Sequence, residues 1–343
     1  MKGYKGFNPG LICKDKQYQE NTVFEEPEAK ICEKGMHFCE NPFDVLDYYD
    51  LIRSDGTPNE FAEVEALDEP KTDDKKKFCS RKLKIGVKLG LSGFVKACVD
   101  FVLEKTIAEM PSENVDSGYS ARIGSSGDYA QIGSSGYSAQ IGSSGDYAQI
   151  GSSGDYAQIG SSGYSAQIGS SGDYAQIGSS GDYAQIGSSG YSAQIGSSGY
   201  SAQIGSSGYS AQIGSSGYSA RIGSSGYSAR IGSSGDYAQI GSSGYSARIG
   251  SSGYSARIGS SGDYARINCT GSNSVICCAG HGSVAKAPIG CWITLAEWKY
   301  DGAKRRYVPV CVKTEYVDGE KIKADTPYML KNGEFVEAES DGE

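Results

Sequence analysis

Residues able to do chemistry fall into three groups in this 343-residue chain: N-terminal thiols beside a histidine, carboxylates scattered through a repeat, and arginines with tyrosines at that repeat's far end. Cys32, His37 and Cys39 lie within eight residues of one another. A structural zinc site needs four ligands at defined spacing, yet the chain holds one further histidine, His281, and no C-x-x-C pair. The three residues therefore read as thiols on a strand pair, and no metal or other cofactor is implied. Adjacent Cys277 and Cys278 read as core fillers rather than a reactive pair. No nucleophile–base pair, carboxylate dyad or phosphate-cradling loop stands in usable context, so the chemistry expected is binding and not catalysis. Its candidates are Arg221, Arg230, Arg248, Arg257 and Arg266, with Tyr218, Tyr227, Tyr245, Tyr254 and Tyr264. Together they predict a basic, tyrosine-lined patch suited to an acidic protein surface or to phosphates.

Those candidates belong to a nonapeptide written seventeen times between Gly118 and Asn268, G-S-S-G-Y-S-A-Q/R-I alternating irregularly with G-S-S-G-D-Y-A-Q/R-I. Isoleucine recurs every nine residues from Ile123 to Ile267, with alanine two places earlier. A flexible Gly/Ser linker has no need of a large aliphatic group at constant phase, whereas stacked repeats bury a continuous core. Nine residues are too few to go out, turn and return. A mainly β, parallel β-solenoid is therefore expected, two-sided with eighteen residues per coil by preference, three-sided with twenty-seven as the alternative. At about 4.8 Å per coil the rod is ~41 Å long in the first case and ~27 Å in the second. Alanine and isoleucine share the inner side of each strand, glutamine or arginine between them points out, and Gly-Ser-Ser-Gly is expected to form the turn. Tyrosines should stack in ladders that stabilise neighbouring coils or offer a face for self-association.

Calcium-binding β-rolls also use nonapeptides, but they place aspartate at position six. Here position six is serine or tyrosine, and aspartate fills position five in only seven units. A cation wanting six to eight oxygens cannot be held so. Six array arginines against seven aspartates leave the rod near neutral, where a DNA mimic of that length would carry roughly two dozen negative charges. Five of the aspartates lie in the first eight units and five of the arginines in the last six, so the surface grades from acidic to basic. The net charge of −9 comes mainly from the flanks and disfavours nucleic-acid binding. No apolar run is long enough to span a membrane, no secretory signal is visible, and ten cysteines fit free thiols in a reducing cytoplasm.

Residues 1–117 read as an α+β domain. Strands are expected around Tyr4 to Phe7, Thr22 to Phe24, Met36 to Cys39, Phe61 to Ala66 and Lys82 to Val87. A helix starts at Asn41-Pro42, and Lys71 to Lys77 forms a charged loop. The clearest helix covers 91–107, where Leu91, Phe94, Val95, Cys98, Val99, Val102 and Leu103 keep helical spacing; it is expected to cap the open end of the solenoid. After the solenoid proper (118–288), residues 289–343 read as a β-meander with hairpin turns at Asp318-Gly319 and Asn332-Gly333, ending in a frayed acidic tail. Val275 to Cys278 are expected to seal the core.

Tyr4-Lys5-Gly6, Gly35 to Cys39 leading to Tyr48-Tyr49, and Ala62-Glu63-Val64-Glu65 resemble the strand order of ADP-ribosyltransferase cores. That family carries a histidine or arginine on the first strand and a catalytic glutamate on a later one. Lys5 stands in the first place and no glutamate is singled out, so the resemblance implies a degenerate, non-catalytic version. Gly35 to Asp47 also resembles a domain of bacteriophage proteins that precedes Gly-Ser-Ser-Gly arrays and a β-rich tail, which implies phage or prophage origin. The expectation is a cytoplasmic, non-enzymatic phage factor whose solenoid binds and antagonises a host defence protein, with homo-oligomers formed through tyrosine ladders or caps. The alternatives are a transferase-like enzyme with the rod as spacer, and a structural or surface solenoid.

Overall fold

A computed structural model describes residues 1–31, 33–106, 114–116 and 118–339. Each repeat makes one four-residue strand, such as Gln131–Ser134 or Gln140–Ser143, followed by a tight turn at positions five and six. Strands pair in parallel, in register, with the strand eighteen residues on: Ile123 with Ile141, Ile132 with Ile150. The coil is therefore two-sided. Alternate units build two separate twelve-stranded sheets, called here the covered sheet (beginning at Arg122–Ser125) and the open sheet (containing Gln131–Ser134).

Alternation along the strand dictates what lies inside. Isoleucine at position nine and the first serine of Gly-Ser-Ser-Gly are two residues apart, so both point inward, while glutamine and the intervening glycine point out. Ala148, Ile150 and Ser152 are buried in one unit, as are their counterparts along the rod. Gly-Ser-Ser-Gly is thus only half turn: its first two residues belong to the strand. The buried hydroxyl then starts the turn, Ser134 Oγ accepting from the Gly136 amide at 3.2 Å. A Cβ on Gly136 would sit 2.0 Å from the Gly118 carbonyl oxygen, so glycine alone lets one turn stack on the next.

The C-terminal ends of both sheets are closed by antiparallel strands. Trp292–Asp301 continues the open sheet in parallel and then pairs antiparallel with Arg306–Tyr316. Val284–Lys286 ends the parallel run of the covered sheet, meeting Tyr328–Lys331 and then Glu334–Glu337 antiparallel. The expected single meander is instead one hairpin per sheet. Asn332-Gly333 forms its turn with both residues at positive φ, as expected. Asp318-Gly319 lies in the crossover between sheets, where Asp318 Oδ1 accepts three successive amides, those of Glu320, Lys321 and Ile322. Of the four residues expected to seal the core, Ile276 and Cys278 do so, while Val275 and Cys277 face outward because they alternate with them. Residues 340–343 of the acidic tail lie outside the described residues.

At the N-terminus a seven-stranded antiparallel sheet runs Val23–Glu25, Lys82–Leu89, Glu60–Ala66, Lys2–Phe7, Met36–Cys39, Lys77–Ser80, Lys71–Thr72. Asn41 caps the next turn by accepting from the Phe43 amide, but Pro42–Asp47 is a 3-10 helix. The expected charged loop is in fact the turn between the last two strands.

The helix Leu91–Thr106 does not cap the solenoid's end. It lies lengthwise across the outer face of the covered sheet, touching strands from Arg122–Ser125 to Gln212–Ser215. The reason is that it carries two apolar stripes. Phe94 and Cys98 join the N-terminal core, with Phe94 stacked on Phe61 at 3.8 Å between ring centroids. Val95 and Val99 face the solenoid, and Leu91 and Val102 touch both layers. Residue 107 lies outside the described residues.

Candidate interaction surface

The solenoid has two broad faces built from the same rows: glutamine or arginine, then glycine. On the covered face each glycine from Gly160 to Gly250 has a neighbour. A Cβ on Gly196 would meet Val95 at 2.7 Å, on Gly232 would meet Ile52 at 2.4 Å, and on Gly250 would fall 1.9 Å from the Gly56 carbonyl. Polar groups of the N-terminal domain satisfy the flanking row. Asn41 Nδ2 donates to Gln158 Oε1 at 3.2 Å, Gln212 Nε2 donates to Asp50 Oδ1 at 2.9 Å, and Arg230 pairs with Asp50 Oδ2 at 2.5 Å.

On the open face the equivalent glycines, Gly151, Gly169, Gly187, Gly205, Gly223, Gly241 and Gly259, have nothing within 4 Å of an added Cβ. They floor a shallow trough of about 1510 Å³ that runs from Gln131 to Cys277. Its wall is the row Gln131 to Gln203, Arg221, Gln239 and Arg257, with no carboxylate among its lining residues.

The arginines proposed from sequence therefore do not form one patch. Arg221 and Arg257 stand on the open face, two coils apart with Gln239 between them. Arg230, Arg248 and Arg266 follow one another on the covered sheet, the first tied to Asp50. Units differ in parity, so arginines close in sequence fall on opposite faces. The tyrosines separate likewise, onto the two narrow edges. Tyr227, Tyr245 and Tyr264 share one ladder, with centroids 4.8 and 5.1 Å apart, which continues through His281 at 5.3 Å to Tyr307 at 4.2 Å. Tyr218 and Tyr254 belong to the other, joined through Tyr237. All five are between 39% and 45% exposed.

The job of the aspartates is not legible from residue type and spacing. All seven accept the backbone amide of position five in the coil above, as in Asp146 N–H to Asp128 Oδ1 at 2.9 Å and Tyr254 N–H to Asp236 Oδ1 at 2.7 Å. They are turn acceptors committed to the backbone.

The N-terminal domain holds a second concavity of about 940 Å³, into which Lys5, Cys13, Tyr18, His37, Cys39 and Tyr49 project. Lys5 is 5% exposed; its Nζ donates to the His37 carbonyl at 3.0 Å and to Cys13 Sγ at 3.4 Å. Burial holds the Lys5 ammonium below its ordinary pKa, drops His37 to about 4 with help from Lys5, and pushes the Cys39 thiol up to about 12. Desolvation thus favours the neutral form of all three. Glu63 and Glu65 line a different depression, whereas Glu26, Glu28 and Glu33 line the same concavity as Lys5. Cys32 lies outside the described residues, and the described residues contain no cluster of three metal-ligating side chains. No helix among them is long and apolar enough to cross a membrane.

Fold and surface together define a two-sided parallel β-solenoid with an N-terminal domain clamped along one flank. A family model described as a domain of unknown function, DUF7666, matches residues 1–97, which end inside the docked helix. No curated protein and no solved structure matches the chain.

Proposed function

We propose that this chain is a non-enzymatic binding protein that presents the open face of its solenoid to a protein partner. One observation carries the reading: two faces carry the same rows of glycine and glutamine or arginine, and one is filled by the chain's own N-terminal domain while the other is bare from Gly151 to Gly259. A flat, carboxylate-free trough with two arginines lacking an ion pair among the described residues is a surface built to be covered. The N-terminal domain then serves as a fixed clamp on the opposite side. The likeness of Gly35 to Asp47 to phage proteins supports a phage-encoded factor that antagonises a host defence protein in the cytoplasm of the infected cell. The tyrosine ladders on the narrow edges support self-association as a second use of the rod. Separation of Lys5 from Glu63 and Glu65 removes those two glutamates from the transferase-like alternative.

The test is capture from bacterial lysate by the full-length wild type and two full-length variants. Gly187→Val with Gly205→Val fills the trough, while Arg248→Gln changes only the covered sheet. A specific partner should be retained by the wild type and by Arg248→Gln and lost with the filled trough. Equal retention by all three would remove the open face from the account.

A further inference from the structure

We infer that the occupant of the open face is an amphipathic α-helix of the partner, laid along the roll axis as the chain's own helix is laid along the covered face. The inference rests on the binding reading above and names the chemistry of the partner. On the covered face Leu91 sits over Gly214, Val95 over Gly196, Val99 over Gly178 and Val102 over Gly160. Each step of three or four helix residues thus crosses one coil. The match is physical: an α-helix rises ~5.4 Å per turn and the coils repeat every ~4.8 Å, so a slightly inclined helix drops one side chain per coil into the space left by a glycine. Because the open sheet repeats the same strand sequence in the same register, it offers a second track of the same pitch.

Charge specifies the occupant further. The covered-face arginine Arg230 already has its carboxylate in Asp50. Arg221 and Arg257, on the open face, have no ion pair among the described residues and no acid beside them in the trough. They are two coils apart, ~9.6 Å, a distance that six or seven helical residues span. The helix that fits carries small or β-branched apolar side chains at three-to-four spacing and two carboxylates six or seven residues apart.

The probe is a synthetic helical peptide that keeps the Leu/Val spacing of residues 91–106 and carries two glutamates seven residues apart. It is titrated into the full-length protein, whose own helix stays in place. We expect saturable binding that weakens with salt and drops at least tenfold in Gly187→Val/Gly205→Val. Arg221→Gln/Arg257→Gln should weaken it about two- to fivefold, the range of exposed ion pairs. The glycine variants add side chains into open space, and an unchanged unfolding temperature confirms their fold. No binding to wild type, or equal binding to the filled-trough variant, overturns the inference. A lysate partner lost on filling the trough yet not displaced by the peptide would keep the binding reading and reject the helix. A partner that survives filling would reject the binding reading itself. A concentration-dependent dimer abolished by the same glycine variants would assign the face to a second copy and reject the helix.

Discussion

Aspartate at position five shows how far residue type alone can mislead. Its repetition in a glycine-rich nonapeptide suggests ions, while one carboxylate in seven of seventeen units is too few oxygens for a calcium roll. The positive job, accepting an amide from the coil above, appears only once the coils are stacked eighteen residues apart. Asp236→Ala should therefore cost ~1–3 kcal/mol, the worth of a hydrogen bond to a charged group, read from denaturant unfolding. Asp44 tests the clamp in another way. It is buried, chiefly for which reason its carboxyl is raised to about 6 from an ordinary 3.8. Between ~pH 4 and 6 the folded chain thus keeps a proton that the unfolded chain has released. The stability so contributed is full at low pH and lost as pH rises through 6, leaving an ionised carboxylate that costs up to ~3 kcal/mol above it. Asp44→Asn should be more stable than wild type at pH 8, with the difference closing by pH 4 in urea titrations.

Among the elements, the repeat strand was the most legible and the helix the least. Constant phase of alanine and isoleucine determines the inner side, and a thin two-sided core leaves the serine at position two nowhere to go but inside. The apolar residues of 91–106 are equally visible, but their two stripes merge in a single run of helical spacing. A helix with Phe94 and Cys98 on one side and Val95 and Val99 on another belongs between two layers, along a flank, where an end cap would need a single stripe. Which sheet it covers could not be read, because odd and even units carry the same rows. Val99→Asp should free the clamp: a carboxylate placed against Gly160 and Gly178 loses its hydration without a partner, at several kcal/mol. Small-angle scattering should then show a larger radius of gyration, and a hydrophobic dye should bind the uncovered track.

Across the whole molecule the problem is one of edges. A parallel solenoid leaves an unpaired strand at each end, and here both sheets end in antiparallel hairpins at the C-terminal side. The outermost strand of the open sheet, Arg306–Tyr316, carries Pro309 at an irregularity opposite Trp298, which removes an edge donor and discourages another chain from pairing. Truncation after Asp301 should expose the parallel edge and cause end-to-end association, visible as concentration-dependent growth in sedimentation. Arginine and tyrosine positions were read correctly as outward, but their grouping was not, since grouping follows coil parity and turn edge, which appear only when the coil size is known.

The central claim is that two faces carrying the same rows differ only in what covers them. The most direct measurement is thermal unfolding of a matched alanine series. Gly196→Ala, Gly232→Ala and Gly250→Ala, under the clamp, should each lose ~1–3 kcal/mol by overpacking. Gly187→Ala, Gly223→Ala and Gly241→Ala, in the trough, should be neutral or gain up to ~1 kcal/mol from reduced chain entropy. Equal costs on both faces would contradict the docked clamp and with it the open face as a separate binding surface.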